Sequence, residues 1–176
     1  GLNVFIGGTS DLPFINYCTL PNRDEINYVV VEVSAAQMQD LRDFHPVLVV
    51  FSKLGDKYDE KRFKSIGEYI ETKLSIIKFL SPNDYLILNY DSLSNNSYFR
   101  NANCETYWYS RKSFVTMQVM NEIQGTHFHE KRIHSNIHYH SEFIVSKMRI
   151  VGEKNRENLL AAITACKALK VSDKSI

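Results

Sequence analysis

Four short apolar runs constrain this chain most, because none of them alternates with polar residues: Val4-Phe5-Ile6, Tyr28-Val29-Val30-Val31, Val47-Leu48-Val49-Val50-Phe51 and Tyr85-Leu86-Ile87-Leu88. A strand with one wet face alternates, whereas a strand covered on both faces does not, so these runs point to a mainly parallel sheet flanked by helices. Segments of helical spacing lie between them. One carries Leu12, Phe14, Ile15 and Cys18, and a second runs from Ala35 to Asp43 with Met38 and Leu41 three apart. His45-Pro46 closes the second, since proline disfavours the α region for the residue before it. A third, Ser65 to Leu80, places Ile66, Tyr69, Ile70, Leu74, Ile77 and Leu80 on one stripe that also holds Lys73. Strand, helix, strand, helix, strand is the order of βαβ units.

Tyr28 to Ser34 reads as the central strand of that sheet, and it ends in a carboxylate, Glu32. At the carboxyl end of a parallel strand, Glu32 stands on the crest where open α/β sheets place ligands; the other open reading is a residue that leaves the sheet for solvent or caps the next helix. Gly7-Gly8 after the first run permits positive φ and close backbone approach, or is only a turn. Lys73 either carries its head to the helix edge or is held inward. Ser52 to Arg62, with Asp56, Lys57, Asp59 and Glu60, is a polar loop expected on the Glu32 edge.

Beyond Asp91 the helical spacing fades. The expectation for 91–148 is a small antiparallel subsheet, with short strands at Thr106–Ser110 and Ser113–Val119 and a hairpin of Thr126–Ile133 with Ile137–Val145 around His134-Ser135-Asn136. Five of the six histidines fall on that hairpin. An even loop pairs His129 with Glu142 and Ile133 with His138, which puts His127, His129, His138 and His140 on one face, either as transition-metal ligands or as the wet face of a hairpin. Asn155 to Leu169 closes the chain as a helix with Leu159, Leu160, Ala162, Ile163 and Cys166 toward a core.

At 176 residues the expected organisation is a single domain, 1–176. A formal charge of +1 gives no reason to expect nucleic acid or a membrane surface as partner. No apolar run approaches the roughly 20 residues of a membrane span. Three scattered cysteines, Cys18, Cys104 and Cys166, read as reduced thiols and hence a cytoplasmic location.

Read together, the pieces resemble the central domain of the Mur ligases, and within that family its D-glutamate-adding branch. Asn3-Val4-Phe5-Ile6-Gly7-Gly8 resembles the family's opening strand and turn, and Glu32-Val33-Ser34-Ala35-Ala36-Gln37-Met38 its Glu-x-Ser-Ser-Phe-Gln-Leu segment. Tyr69-Ile70-Glu71-Thr72-Lys73 is similar to the Tyr-x-x-Ala-Lys motif, whose lysine is carbamylated, and Asn155-Arg156-Glu157-Asn158-Leu159-Leu160-Ala161-Ala162 to the Asn-x-x-Asn-x-x-Ala-Ala motif, whose asparagines hold adenine. The resemblance covers nearly the whole chain.

It implies a piece of an ATP-dependent amide ligase that acts through an acyl phosphate in peptidoglycan synthesis, with ATP and magnesium as cofactors, UDP-N-acetylmuramoyl-L-alanine and D-glutamate as partners, and a monomeric state. Glu32 and Lys73 are the implied metal residues, Lys73 and Lys57 the catalytic ones, Thr9, Ser34 and Gln37 the substrate contacts, and Asn155 and Asn158 the nucleotide contacts. Lys57 stands where the family's Asp-His-x-Asp loop has histidine, and Thr9 where its glycine turn supplies asparagine. The family's Gly-Lys-Thr/Ser phosphate loop and amino-acid-binding domain are absent from these residues, so the piece alone is expected to be inactive. The alternatives are another Mur or folylpolyglutamate-type ligase, or a non-catalytic paralogue that binds a nucleotide sugar.

Overall fold

The computed structural model describes residues 2–55, 57–99, 102–119, 122–145 and 152–176. They divide into two compact units, Gly1–Asp43 with Tyr58–Ser75 and Phe44–Lys57 with Ile76–Ile176. Among the described residues, no helix is long and apolar enough to cross a membrane.

In the first unit β1 (Val4–Gly7) pairs in parallel with β2 (Tyr28–Val31), in a register that sets Gly7 against Val31. The short helix α1 (Ile15–Cys18) packs on β1, and Phe5 is buried with its ring 5.5 Å from that of Tyr17. The opposite face stays open: Ile6 is 65% exposed and Val30 53%. This corrects the expectation for β2. Among the described residues its one partner is β1, and it is not the central, doubly covered strand. α2 (Ala35–Met38) follows β2 and packs on α3 (Ile66–Leu74). A 3-10 turn, Ser75–Phe79, continues α3. Its tighter winding rotates the apolar stripe, so that Ile76 is buried and Ile77 only half-buried.

The second unit holds a six-stranded sheet ordered β3-β4-β5-β6-β7-β8: Leu48–Phe51, Tyr85–Asn89, Glu105–Ser110, Gly125–His129, Arg132–Ser135 and Ser141–Ile144. The first four are parallel and the last two antiparallel, which gives the α/β sheet with an antiparallel part. The strand covered on both faces is β4, whose Leu86, Ile87 and Leu88 are all 0% exposed. On one side Ile87, Tyr107, Tyr109, Ile133 and Phe143 meet Leu160, Ile163 and Ala168 of α5 (Glu153–Ala168). On the other side α4 (Tyr90–Leu93) and the turns near Phe114 supply cover, with the Tyr90 and Phe114 rings 5.6 Å apart.

Three details of the 91–148 region differ from expectation. Ser113–Val119 is a series of turns and not a strand, and Thr106–Ser110 continues the parallel sheet beside β4. The hairpin turn is Glu130-Lys131, both at positive φ, so His129 pairs with Arg132 and His127 with His134. His138 therefore leaves the histidine face, and its Nε2 lies 3.5 Å from the Ala168 carbonyl. At the β5–β6 seam a Cβ on Gly125 would stand 1.9 Å from the Trp108 carbonyl oxygen, a closeness of approach that glycine alone permits.

Polar residues also enter the core. Along α5 the buried stripe passes through Thr164 and Lys167, while Ala162 is exposed. Lys167 Nζ donates to Ser141 Oγ and to Asp173 Oδ1, both at 2.8 Å, and lies 3.5 Å from the Tyr139 ring centre. Asp84 accepts from the Ser81 backbone N–H at 2.6 Å and sits 2.7 Å from His45 Nε2.

Burial pulls the pKa of both carboxyls upward, but the Ser81 N–H and His45 outweigh it at Asp84, and Lys167 and Ser141 outweigh it at Asp173, so both titrate below the ordinary value. A carboxyl held low in the folded state stabilises fully above its unfolded pKa of about 3.9, and that contribution is lost as pH falls through the folded value. The second unit is expected to lose stability on acidification below about pH 4. Asp84→Asn should remove part of that acid sensitivity at a cost of about 1–2 kcal/mol near neutrality, as read from urea unfolding at stepped pH. An unchanged acid limb in the variant would rule Asp84 out.

Candidate active site

The turn after β1 and the end of β2 are built onto each other. Gly8 has φ +99°, and a Cβ there would lie 2.2 Å from the Glu32 carbonyl oxygen. The Glu32 N–H donates to the Gly7 carbonyl at 2.8 Å, extending the β1–β2 ladder by one residue. Glu32 is exposed at the carboxyl end of β2, the position at which open α/β sheets present ligand-binding groups.

Two residues further on, Ser34 caps α2. Its Oγ accepts from the Gln37 N–H at 3.3 Å, and its own N–H donates to Gln37 Oε1 at 2.7 Å, a reciprocal capping box. Gln37 Nε2 also reaches the Gly8 carbonyl at 3.4 Å. Thr9 Oγ1 accepts from the Leu12 N–H at 3.2 Å. Thr9, Glu32, Ser34 and Gln37 thus converge on one small neighbourhood. The Ser34 hydroxyl hydrogen goes to the cap, donating to Gln37 Oε1 at 2.9 Å, and one lone pair remains to accept a further bond.

Lys73 lies on α3, half-buried, with Nζ 5.3 Å from the centre of the Tyr69 ring one turn earlier. Tyr69 is fixed from two sides by Phe63 at 5.4 Å and Tyr58 at 6.2 Å between ring centres. Asp59 is turned to its own loop, accepting from the Lys61 N–H and pairing with Arg62 Nε at 3.5 Å. Asp56 lies outside the described residues.

As donors for a hard cation such as magnesium these residues divide by chemistry. Glu32 offers carboxylate oxygens of the required kind. A lysine ammonium offers only hydrogen-bond donors, so Lys73 fits as a ligand only once a carbamate has replaced its charge, and Lys57 does not fit as one.

The second unit carries the remaining candidates. Lys57 is exposed in the segment after β3. Asn155 and Asn158, three residues apart and therefore on one helix face, are exposed in the first turns of α5. That end of α5 is tied down by a residue sequence reasoning passed over. Arg111 bonds Glu153 Oε2 and Glu157 Oε1 at 2.9 Å each, while its backbone N–H donates to Asp91 Oδ2 at 2.8 Å. Two glutamates four apart at a helix start were the available signal for a basic partner. At the carboxyl ends of β3 and β4 lies a hollow of about 320 Å³ lined by Lys53, Gly55, Ser92 and Asn96, among others.

Comparison with known proteins places this architecture. The profile of the Mur ligase middle domain matches residues 11–166. Over 178 aligned residues the chain is 29% identical to the UDP-N-acetylmuramoylalanine–D-glutamate ligase of Alkaliphilus metalliredigens, covering 100% of this chain and 37% of that protein. It is 26% identical to the ligase of the same name from Oenococcus oeni, over 99% of this chain and 37% of the relative. Among solved structures, MurF from Acinetobacter baumannii superposes with a TM-score of 0.66 at 16% identity, over 98% of this chain and 38% of that one. MurF ligase from Thermotoga maritima in complex with ADP gives 0.57 at 12% identity, over 97% of this chain and 40% of that one. The chain spans well under half the length of these relatives. With its motifs, its mixed sheet and a profile match over most of its length in agreement, the chain belongs to the Mur ligase family, as that family's middle domain.

Proposed function

We propose that this chain is the central, ATP-handling part of a ligase that joins D-glutamate to UDP-N-acetylmuramoyl-L-alanine. The observation that carries this reading is the similarity of the whole chain to D-glutamate ligases from several bacteria. In that reaction the γ-phosphoryl group of ATP passes to the alanyl carboxylate, giving an acyl phosphate and ADP. The D-glutamate amine then attacks the acyl carbon, loses a proton and expels phosphate as the amide forms. The place of reaction is the cytoplasm and its product feeds peptidoglycan synthesis, and through it cell shape and division. Activity is assigned to the parent-length protein, working as a monomer; residues 1–176 alone are inactive.

Each residue has a role that its chemistry supports. Glu32 supplies the oxygen donor for magnesium, which when bound neutralises phosphate charge. Lys73 supplies a second set of oxygens as its carbamate. Ser34 and Gln37 hold the Gly8 turn and the start of α2 in register, and the remaining Gln37 amide hydrogen and the Thr9 hydroxyl face the nucleotide sugar. Lys57 donates hydrogen bonds to phosphate oxygens where the family's histidine stands. Asn155 and Asn158 hold adenine, and Arg111 fixes the helix turn that bears them.

The test is phosphate release by the parent-length protein with ATP, magnesium, UDP-N-acetylmuramoyl-L-alanine and D-glutamate. Release is expected only with all four present. Turnover with a different amino acid would move the protein to another branch of the family. Tight binding of the nucleotide sugar without turnover would make it a binding module and overturn the reading.

A further inference from the structure

Across the antiparallel end of the sheet the register sets four residues in one row: Ser110 of β5, His127 of β6, His134 of β7 and Glu142 of β8. Register partners share a face, and so do residues two apart on a strand, so His129 and Arg132 belong to the same side, and His140, in the loop just before β8, lies with its ring 5.7 Å from that of His134. This is the face opposite α5. Phe114 covers its inner part, 4.7 Å from the His127 ring, and the outer part opens to solvent, where His140 and Glu142 are exposed.

At the open end, His134, His140 and Glu142 each bring a ligand atom within 4.8 Å of the others. His134 Nδ1 and Glu142 Oε1 are 3.6 Å apart. Two donors bound to one tetrahedral zinc at about 2.0–2.1 Å stand about 3.4 Å apart, so this pair already has nearly the spacing a shared ion imposes. With all three ligand atoms within 4.8 Å, His140 needs to close by at most about 1.4 Å to meet that distance, and an exposed side chain does so by a rotamer adjustment. Arg132 occupies the other Glu142 oxygen at 2.9 Å and so turns Oε1 toward His134.

An independent observation marks the same patch. Both ring nitrogens of His127, a residue 1% exposed, and Nε2 of His134 are buried without a protein partner. Three orphaned nitrogens on stacked rings 5.7 Å apart are far outside the usual satisfaction of buried polar atoms.

We propose that His134, His140 and Glu142 form a site for a divalent transition metal of the zinc class, with water completing the coordination. Two imidazoles and one carboxylate are the donor set for zinc, cobalt or nickel, not for magnesium, which takes oxygen donors. The ion ties β7 to β8 and to the loop before β8, so it clips the free edge of the sheet. The site is independent of the ligase reading, because none of its residues belongs to the proposed reaction.

Cobalt(II) is the probe, since four- or five-coordinate cobalt absorbs visibly far more strongly than the hydrated ion. Titration of the 176-residue protein should give one equivalent of such absorbance, abolished by one equivalent of zinc, and zinc but not magnesium should raise Tm. Residues that merely orient metal ligands are worth about 10–100-fold in affinity, so His140→Ala and Glu142→Gln, both at exposed positions, should each weaken cobalt at least about tenfold. His138→Ala, off this face, should bind as the wild type does. Absence of the visible bands at excess cobalt, or equal affinity in His140→Ala and the wild type, would overturn the site.

Discussion

Lys73→Ala in the parent-length protein is expected to lower the ligation rate by at least about 10²-fold, the scale on which preorganised electrostatic groups act. A neutral lysine amine adds carbon dioxide and loses a proton to become a carbamate, which turns a cation into a pair of oxygen ligands. Lys73→Arg keeps length and charge but cannot make that change, because a guanidinium does not deprotonate in proteins. It should therefore be as slow as the alanine variant, and the wild-type rate should fall when dissolved carbon dioxide is removed. The contact with Tyr69 contributes about 0.5–1 kcal/mol at a partly exposed site, and urea unfolding of both variants separates lost stability from lost rate. Wild-type activity in Lys73→Arg would mean that charge alone matters and that the carbamate plays no part.

Gly8→Ala should be the most damaging small substitution near the site. A methyl group there meets the Glu32 backbone, with its oxygen at 2.2 Å and its nitrogen at 2.8 Å, and φ is +99°. Neither atom can yield without breaking the β1–β2 pairing, so the cost is about 2–4 kcal/mol. Activity should fall further than stability, because the Glu32 backbone and the Gln37 amide both rest on this turn. Gly67→Ala is the control. Its Cβ meets only Ser65 Oγ at 3.6 Å, inside α3, and it should stabilise by about 0.5–1 kcal/mol. Urea unfolding of the two variants beside the wild type checks both signs.

What could be read from the sequence follows from how far each signal reaches. The order of strands and helices was legible because apolar runs and helical spacing are local. Which strand lies at the centre was not. The runs at β2 and β4 look alike, since an apolar run says that a strand suits cover on both faces and not which segment supplies it; α5 and α4 cover β4, while Val30 of β2 is 53% exposed. The histidine register failed at Glu130-Lys131. A two-residue turn at positive φ is usually signalled by asparagine, aspartate or glycine, and here it is made by residues that carry no such signal.

The buried stripe of α5 was half legible, through Leu160 and Ile163. Lys167 stayed hidden because its partner Asp173 is six residues away, beyond the end of the helix. At the site, the Ser34-to-Gln37 spacing was readable as a substrate motif by resemblance, and its capping role was equally available from the Ser-x-x-Gln pattern. The link from Gln37 to Gly8, a contact 29 residues apart, needed the fold.

Glu32 is the residue on which the magnesium assignment turns. The direct measurement is the initial ligation rate of the parent-length protein against free magnesium, for the wild type and for Glu32→Gln, an amide of the same shape with one charged oxygen fewer. If Glu32 holds the ion, the half-saturating magnesium concentration should rise at least about tenfold in the variant, since even outer partners of metal ligands are worth that much. Superimposable magnesium curves for the two proteins would contradict it.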